Sequence, residues 1–165
     1  MKDAPSTRRR WLQYMAASAL TAMSYPALAA PDASERLLPS SRDLQHDLAA
    51  ALARQEPLVL MATLRGCPFC RVVREHYLLP LHRAGAFVTQ LHFLSSEPLR
   101  DGYGAQSSHG SVVRQLGIEV APTVLFYGRG YQEVAERLVG SSIPDFYGAY
   151  LEQRMEQARA AVRGR

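Results

Sequence analysis

Leu44, Leu48, Ala51 and Leu52 recur at helical spacing, and Ser40 or Ser41 stands before them as a cap. A helix is therefore predicted to run to about Arg54, with Pro57 closing it. Leu58 to Leu64 is a continuous apolar run of strand length, the pattern of a central strand covered on both faces. Pro68 to about Arg83 reads as a second helix, with Val72, Val73, Tyr77 and Leu81 inward and Pro80 as a kink. Ala86 to Leu94 reads as another strand, residues 95–110 as a long polar loop, and Ser111 to Leu116 as a short helix. Thr123 to Tyr127 and Glu133 to Val139 are predicted strands, joined through Gly128-Arg129-Gly130 as a hairpin. A last amphipathic helix is expected from about Pro144 to Val162, with Phe146, Tyr150, Leu151 and Met155 as its apolar face. The order is α-β-α-β-α-β-β-α, an α/β pattern with no internal repeat and no second domain.

The first 29 residues follow a different logic. Arg8, Arg9 and Arg10 form a charged head, a weakly apolar stretch runs from Trp11 to about Tyr25, and Ala27-Leu28-Ala29 is a small-residue cleavage site. The apolar stretch falls short of the ~20 residues a comfortable membrane span needs. Thr7-Arg8-Arg9-Arg10-Trp11-Leu12-Gln13 resembles a twin-arginine signal, with Gln13 where lysine is usual. That resemblance implies export of a folded protein. Residues 1–29 are read as a signal peptide, with cleavage between Ala29 and Ala30 favoured over an uncleaved anchor and the twin-arginine route over the general secretory one, residues 30–40 as a loose arm, and residues 41–165 as the domain.

Composition agrees with an ordinary globular protein: of 165 residues, 47% are hydrophobic and 21% charged, which excludes wholesale disorder and a fibrous chain. The net charge is +4, but Lys2, Arg8, Arg9 and Arg10 against Asp3 place three of those charges in the signal segment. Almost no basic excess is left for the domain, and no arginine cluster interleaved with aromatics follows residue 30. A nucleic-acid partner is not expected.

The candidate chemistry is Cys67-Pro68-Phe69-Cys70, whose two cysteines are the only ones in the chain. A bridge over two intervening residues closes a tiny loop and removes little entropy from the unfolded chain. It is a poor brace and a good switch. Pro68 suits the first helical position, where its missing N–H is not needed. Cys67 then falls at the cap, facing free N–H groups and the positive end of the helix dipole, which favour thiolate over thiol. Cys67 is expected to be the exposed nucleophile, and Cys70, one turn in, the buried sulfur that resolves a mixed disulfide. Arg65 and Arg71 flank the pair; they either lower the thiolate pKa further or are plain solvated arginines.

Downstream, Val120-Ala121-Pro122-Thr123 precedes an apolar strand. Taken with the strand Leu58–Leu64, the Cys-x-x-Cys pair, the helix after it, the hairpin, and Gly140 before the final helix, it makes the chain resemble the thioredoxin family over about residues 41–160. The resemblance implies a thioredoxin-like fold, a central mixed sheet flanked by helices. It implies Pro122 as a cis-proline facing the disulfide and the backbone of Ala121 as the edge that pairs with an extended substrate strand. Pro68 and Phe69 complete the implied substrate-binding set. The implied activity is thiol–disulfide exchange with protein substrates, with the Cys67–Cys70 disulfide as redox centre and no other cofactor or metal.

Departures from the family shape the expectation further. Gly66 stands where thioredoxins have Trp, Pro68-Phe69 is closer to the Pro-Tyr of glutaredoxins, and Met61 replaces a buried Asp that would accept a proton from Cys70. These favour an exported, periplasmic, partner-specific protein over a general reductase, working with a membrane-borne or periplasmic redox partner. The domain itself is not expected to be embedded in the membrane.

Two other classes compete. The two thiolates with one of His46, His76, His82, His92 or His109 would make a copper or zinc module, although no histidine has a paired spacing with the cysteines. A fold that binds partners without catalysis is the third class. Phe126, Tyr127, Phe146, Tyr147 and Tyr150 are expected in or at the edge of the core. Ser107-Ser108-His109 and Gly102-Tyr103-Gly104 are taken as loop residues, lacking the strand–helix frame that a nucleophile elbow or a phosphate loop requires.

Overall fold

A computed structural model describes residues 33–141 and 144–164. The signal segment and cleavage site lie outside the described residues. Strand β1, Leu58–Thr63, is the centre of the domain, and all six of its residues are buried. It pairs in parallel with β2, Phe87–His92, from Leu58↔Phe87 to Thr63↔His92. On its other edge it runs antiparallel to β5, Thr123–Gly128, which pairs antiparallel with β6, Gln132–Val139. The mixed sheet thus has the order β2-β1-β5-β6.

Successive side chains of β1 alternate between two cores, as strand geometry requires. Val59 and Met61 join Cys70, Val73, Leu78, Leu151 and Met155 on one side. Leu58, Leu60 and Ala62 join Leu44, Leu48, Val112 and Val113 on the other. Each such large apolar side chain contributes about 1.5–3 kcal/mol by leaving water. The first face is covered by the crossover after β1 and by α5, Pro144–Arg163; the second by α1, Leu44–Ala53, and α4, His109–Gln115.

The parallel β1–β2 pair needs a crossover, and the helix after Cys67 supplies it. It has three parts: α2, Pro68–Val72; a π-helical segment, Val73–Leu78; and α3, Leu79–Arg83. The Leu79 N–H reaches back five residues to the Arg74 carbonyl. The kink expected at Pro80 is realised as this wider turn, and Pro80 itself sits in the first turn of α3, where no N–H is required.

Several expectations are corrected. The cap of α1 is Asp43, whose carboxylate accepts the His46 N–H at 2.8 Å, while Ser41 donates instead to Asp47. Val72 faces solvent and Val73 takes the core position, because Val73 lies three residues after buried Cys70, on its face of the helix, and Val72 lies only two. In α5 the buried stripe is Tyr147, Leu151, Met155, Ala158 and Val162, and Phe146 and Tyr150, both expected on the apolar face, lie outside it. The loop at 95–110 contains a hairpin, β3 Pro98–Arg100 with β4 Gln106–Ser108. Buried Leu99 anchors it, and the Asp101 carboxylate closes its turn by accepting the Tyr103 and Ala105 N–H groups. The described part of the expected loose arm, 33–40, is packed: Ser34, Glu35 and Leu38 are buried, and Ser40 bridges to Gln90 of β2.

Candidate functional site

Strand β1 ends at Thr63, and the chain turns through Leu64, Arg65 and Gly66 into the helix. Gly66 has φ +71°, and a β-carbon there would meet nothing within 4 Å. Glycine is needed at this position for its backbone freedom, not for space. The Cys67 N–H closes the turn on the Leu64 carbonyl at 3.3 Å.

Cys67 is the N-cap of α2, with Pro68 in the first turn as the sequence requires. Its Sγ accepts the Cys70 N–H at 3.0 Å, one of the amides a helix start leaves free. The two sulfurs are joined in a disulfide, with Cα atoms 5.2 Å apart. Cys67 is half-buried and Cys70 has no exposed surface. Opposite them, the Ala121–Pro122 peptide is cis, and the Ala121 carbonyl oxygen lies 4.0 Å from Cys67 Sγ. The Gly140 N–H holds the Pro122 carbonyl at 2.7 Å, and the Thr123 hydroxyl donates to the Val120 carbonyl at 2.7 Å, so the proline loop is braced from both sides.

Exposed apolar side chains stand beside charged ones around this centre. Phe69 is 62% exposed, and Leu64, Val72 and Val120 are also uncovered. Arg71 pairs with Glu75 at 3.2 Å along the helix, and Arg65 is exposed. Met61 is fully buried in the same core as Cys70, so an apolar side chain fills the position of the acid.

Among the described residues no three of His, Cys, Asp and Glu converge on a point that would hold a metal. His46 and His76 are exposed and His82 is half-buried. His92 and His109 form a pair of their own, with ring centroids 5.5 Å apart. The His92 backbone N–H donates to His109 Nδ1 at 3.2 Å, and His92 Nε2 meets the Ser40 hydroxyl at 2.8 Å. Both imidazoles titrate below the ordinary range, first because burial disfavours the charged ring.

A polar network behind the disulfide has no counterpart in the sequence reading. Arg74, 1% exposed, donates to Gln90 Oε1 at 3.2 Å, to the Ser34 hydroxyl at 2.8 Å and to the Thr63 hydroxyl at 2.6 Å. Gln90 in turn donates to the Glu35 and Leu38 carbonyls. The Glu35 side chain accepts the Gly66 N–H at 3.3 Å. The available signal was Gln90 inside an apolar strand and Arg74 four residues after Cys70. Neither has meaning until the segment before α1 is folded against them.

No known family model matches the chain, and no curated protein matches it. Solved structures do. A thioredoxin from Thermus thermophilus superposes with a TM-score of 0.52 at 21% identity, covering 77% of this chain and 94% of that one. A thioredoxin-fold protein from Helicobacter pylori gives 0.48 at 11% identity, covering 80% and 92%. The periplasmic thioredoxin SoxS from Paracoccus pantotrophus, in its reduced form, gives 0.41 at 25% identity, covering 62% and 99%. The fold of this chain is the thioredoxin fold.

Proposed function

We propose that the protein is a thiol–disulfide oxidoreductase that exchanges the Cys67–Cys70 pair with protein substrates. The observation that carries this reading is Cys67 Sγ at a helix cap, 3.0 Å from the Cys70 N–H and 4.0 Å from the Ala121 carbonyl beside the cis Pro122. An N–H aimed at that sulfur favours its thiolate.

In the reductive direction the Cys67 thiolate attacks one sulfur of a target disulfide. The target S–S bond breaks, a mixed disulfide forms, and the departing target thiolate takes a proton from solvent. Cys70 then loses its proton and attacks Cys67 Sγ. The mixed disulfide breaks, the second target thiolate leaves, and two electrons have passed to the target. With Met61 in the core, deprotonation of Cys70 falls to water or to the departing thiolate. A target strand lies along Ala121 and Pro122, with Phe69 and Pro68 as its apolar floor.

The twin-arginine-like head and the Ala27-Leu28-Ala29 site support export to the periplasm. Among the described residues no helix is long and apolar enough to cross a membrane. The missing acid and the exposed Phe69 favour a partner-specific reductase, fed by a membrane-borne or periplasmic donor. The test is reduction of insulin disulfides by residues 30–165, together with the reduction potential; related pairs span about −270 to −120 mV. A value in the lower half with measurable insulin reduction supports the reading. An unreactive Cys67 at neutral pH overturns it.

A further inference from the structure

We propose that Glu35 is a positioning residue of the Cys67–Cys70 site, and that the segment before α1 is thereby part of the redox machinery; this rests on the thiol–disulfide reading above. Glu35 lies in neither a strand nor a long helix. It belongs to a single 3-10 turn, Ala33–Arg36, and still is only 8% exposed. Three contacts pin that turn. Arg74 donates to Ser34 on one side of Glu35, Gln90 donates to the carbonyl of Glu35 itself, and Gln90 also holds the Leu38 carbonyl. With its backbone fixed, the Glu35 side chain accepts, among the described residues, the Gly66 N–H at 3.3 Å.

Gly66 is the residue through which β1 hands the chain to Cys67. It is exposed, and a β-carbon there would meet nothing within 4 Å, so no side chain packs against it from that direction. The Glu35 oxygen holds the Gly66 N–H while the Cys67 N–H closes the same turn on the Leu64 carbonyl, so the two contacts together orient the peptides that lead into Cys67. The next peptide in the chain sets where Cys67 Sγ points relative to the Cys70 N–H. Arg74 and Gln90 close the circuit, since Arg74 is on the same crossover helix as Cys70 and Gln90 is on the strand paired with β1. The segment thus touches the crossover helix that carries both sulfurs and the strand beside β1.

The test uses the reduced protein spanning residues 30–165, with the pH profile of Cys67 alkylation by iodoacetamide as readout. Glu35→Ala removes the acceptor; alkylation at pH 7 is expected to slow about fivefold as the profile moves to higher pH, because the relaxed turn weakens the Cys70 N–H bond to the thiolate by more than the lost carboxylate charge favours it. Glu35→Gln keeps an acceptor oxygen at the same reach and is expected to restore the profile to within about twofold. Hydrogen exchange at the Gly66 amide of the unmodified protein gives an independent arm. Protection beyond that of a free exposed glycine is expected. A wild-type profile in Glu35→Ala, equal losses in both variants, or an unprotected Gly66 amide overturns the proposal. A wild-type Cys67 that titrates as an ordinary thiol instead overturns the functional reading itself.

Discussion

Arg74 Nε donates to Gln90 Oε1 at 3.2 Å, joining the π-helical segment that follows Cys70 to the strand beside β1. A guanidinium with 1% exposure is tolerated because Gln90, Ser34 and Thr63 all accept from it. Truncating it strands those oxygens in the interior. Arg74→Met is expected to lower unfolding stability by about 3 kcal/mol, read from urea titration. A loss below about 0.5 kcal/mol would show that the network is dispensable.

The two sulfurs differ in access, and so should their variants. Cys70→Ala leaves the half-buried Cys67 free to attack and should accumulate mixed disulfides with partner proteins on non-reducing gels. Cys67→Ala leaves a sulfur with no exposed surface and should trap none. Equal trapping by both would reverse the assigned roles.

Phe69 makes no demand on the core, being 62% exposed. Phe69→Ser should leave thermal stability and the Cys67 alkylation profile unchanged while raising KM for a protein substrate about tenfold, the scale of one buried aromatic contact. An unchanged KM would remove Phe69 from the substrate surface.

Stability should fall as pH drops from 7 toward 5. His92 and His109 have folded values below 6.5, chiefly through burial. For His92 the His109 and Arg74 charges add to this, while Glu35 and Glu97 oppose it. For His109, Glu97 and the Ser41 backbone oppose it. Between the lowered folded value and 6.5 the unfolded chain binds more protons, so stability rises with pH there and is fully present above 6.5. Asp47, raised by burial, works in the opposite sense from the carboxylate range. His109→Asn keeps an acceptor for the His92 N–H and should flatten the slope of urea-unfolding stability between pH 5 and 7. An unchanged slope would assign the effect elsewhere.

Export depends in this reading on Arg8 and Arg9. Arg8→Lys with Arg9→Lys should retain the full chain inside the cell, as read by fractionation and by the mass of the processed form. Undiminished processing would point to the general secretory route.

The helix and strand order, the Cys67 cap with Pro68 behind it and the Cys70 sulfur one turn inward were legible as a string of residues, because each rests on local rules: a 3.6-residue period, a proline without a donor, an apolar run long enough for a buried strand. The hairpin in residues 95–110 was not, because its signal is one buried Leu99 and one Asp101 turn within polar surroundings. Val72 and Phe146 were misread for a different reason. The buried face of the crossover helix is set by Cys70 and Val73, and that of α5 by Tyr147 rather than Phe146, and nothing in composition records either phase. Glu35, Arg74 and Gln90 lie 11 to 55 positions from their partners, and a polar side chain in a sequence looks the same whether it meets water or another chain segment. Local chemistry marked where the sulfurs are and what they can do. The long-range folding of 33–40 onto β2 and the crossover helix settled what surrounds them, since only packing brings such distant donors and acceptors within hydrogen-bonding reach.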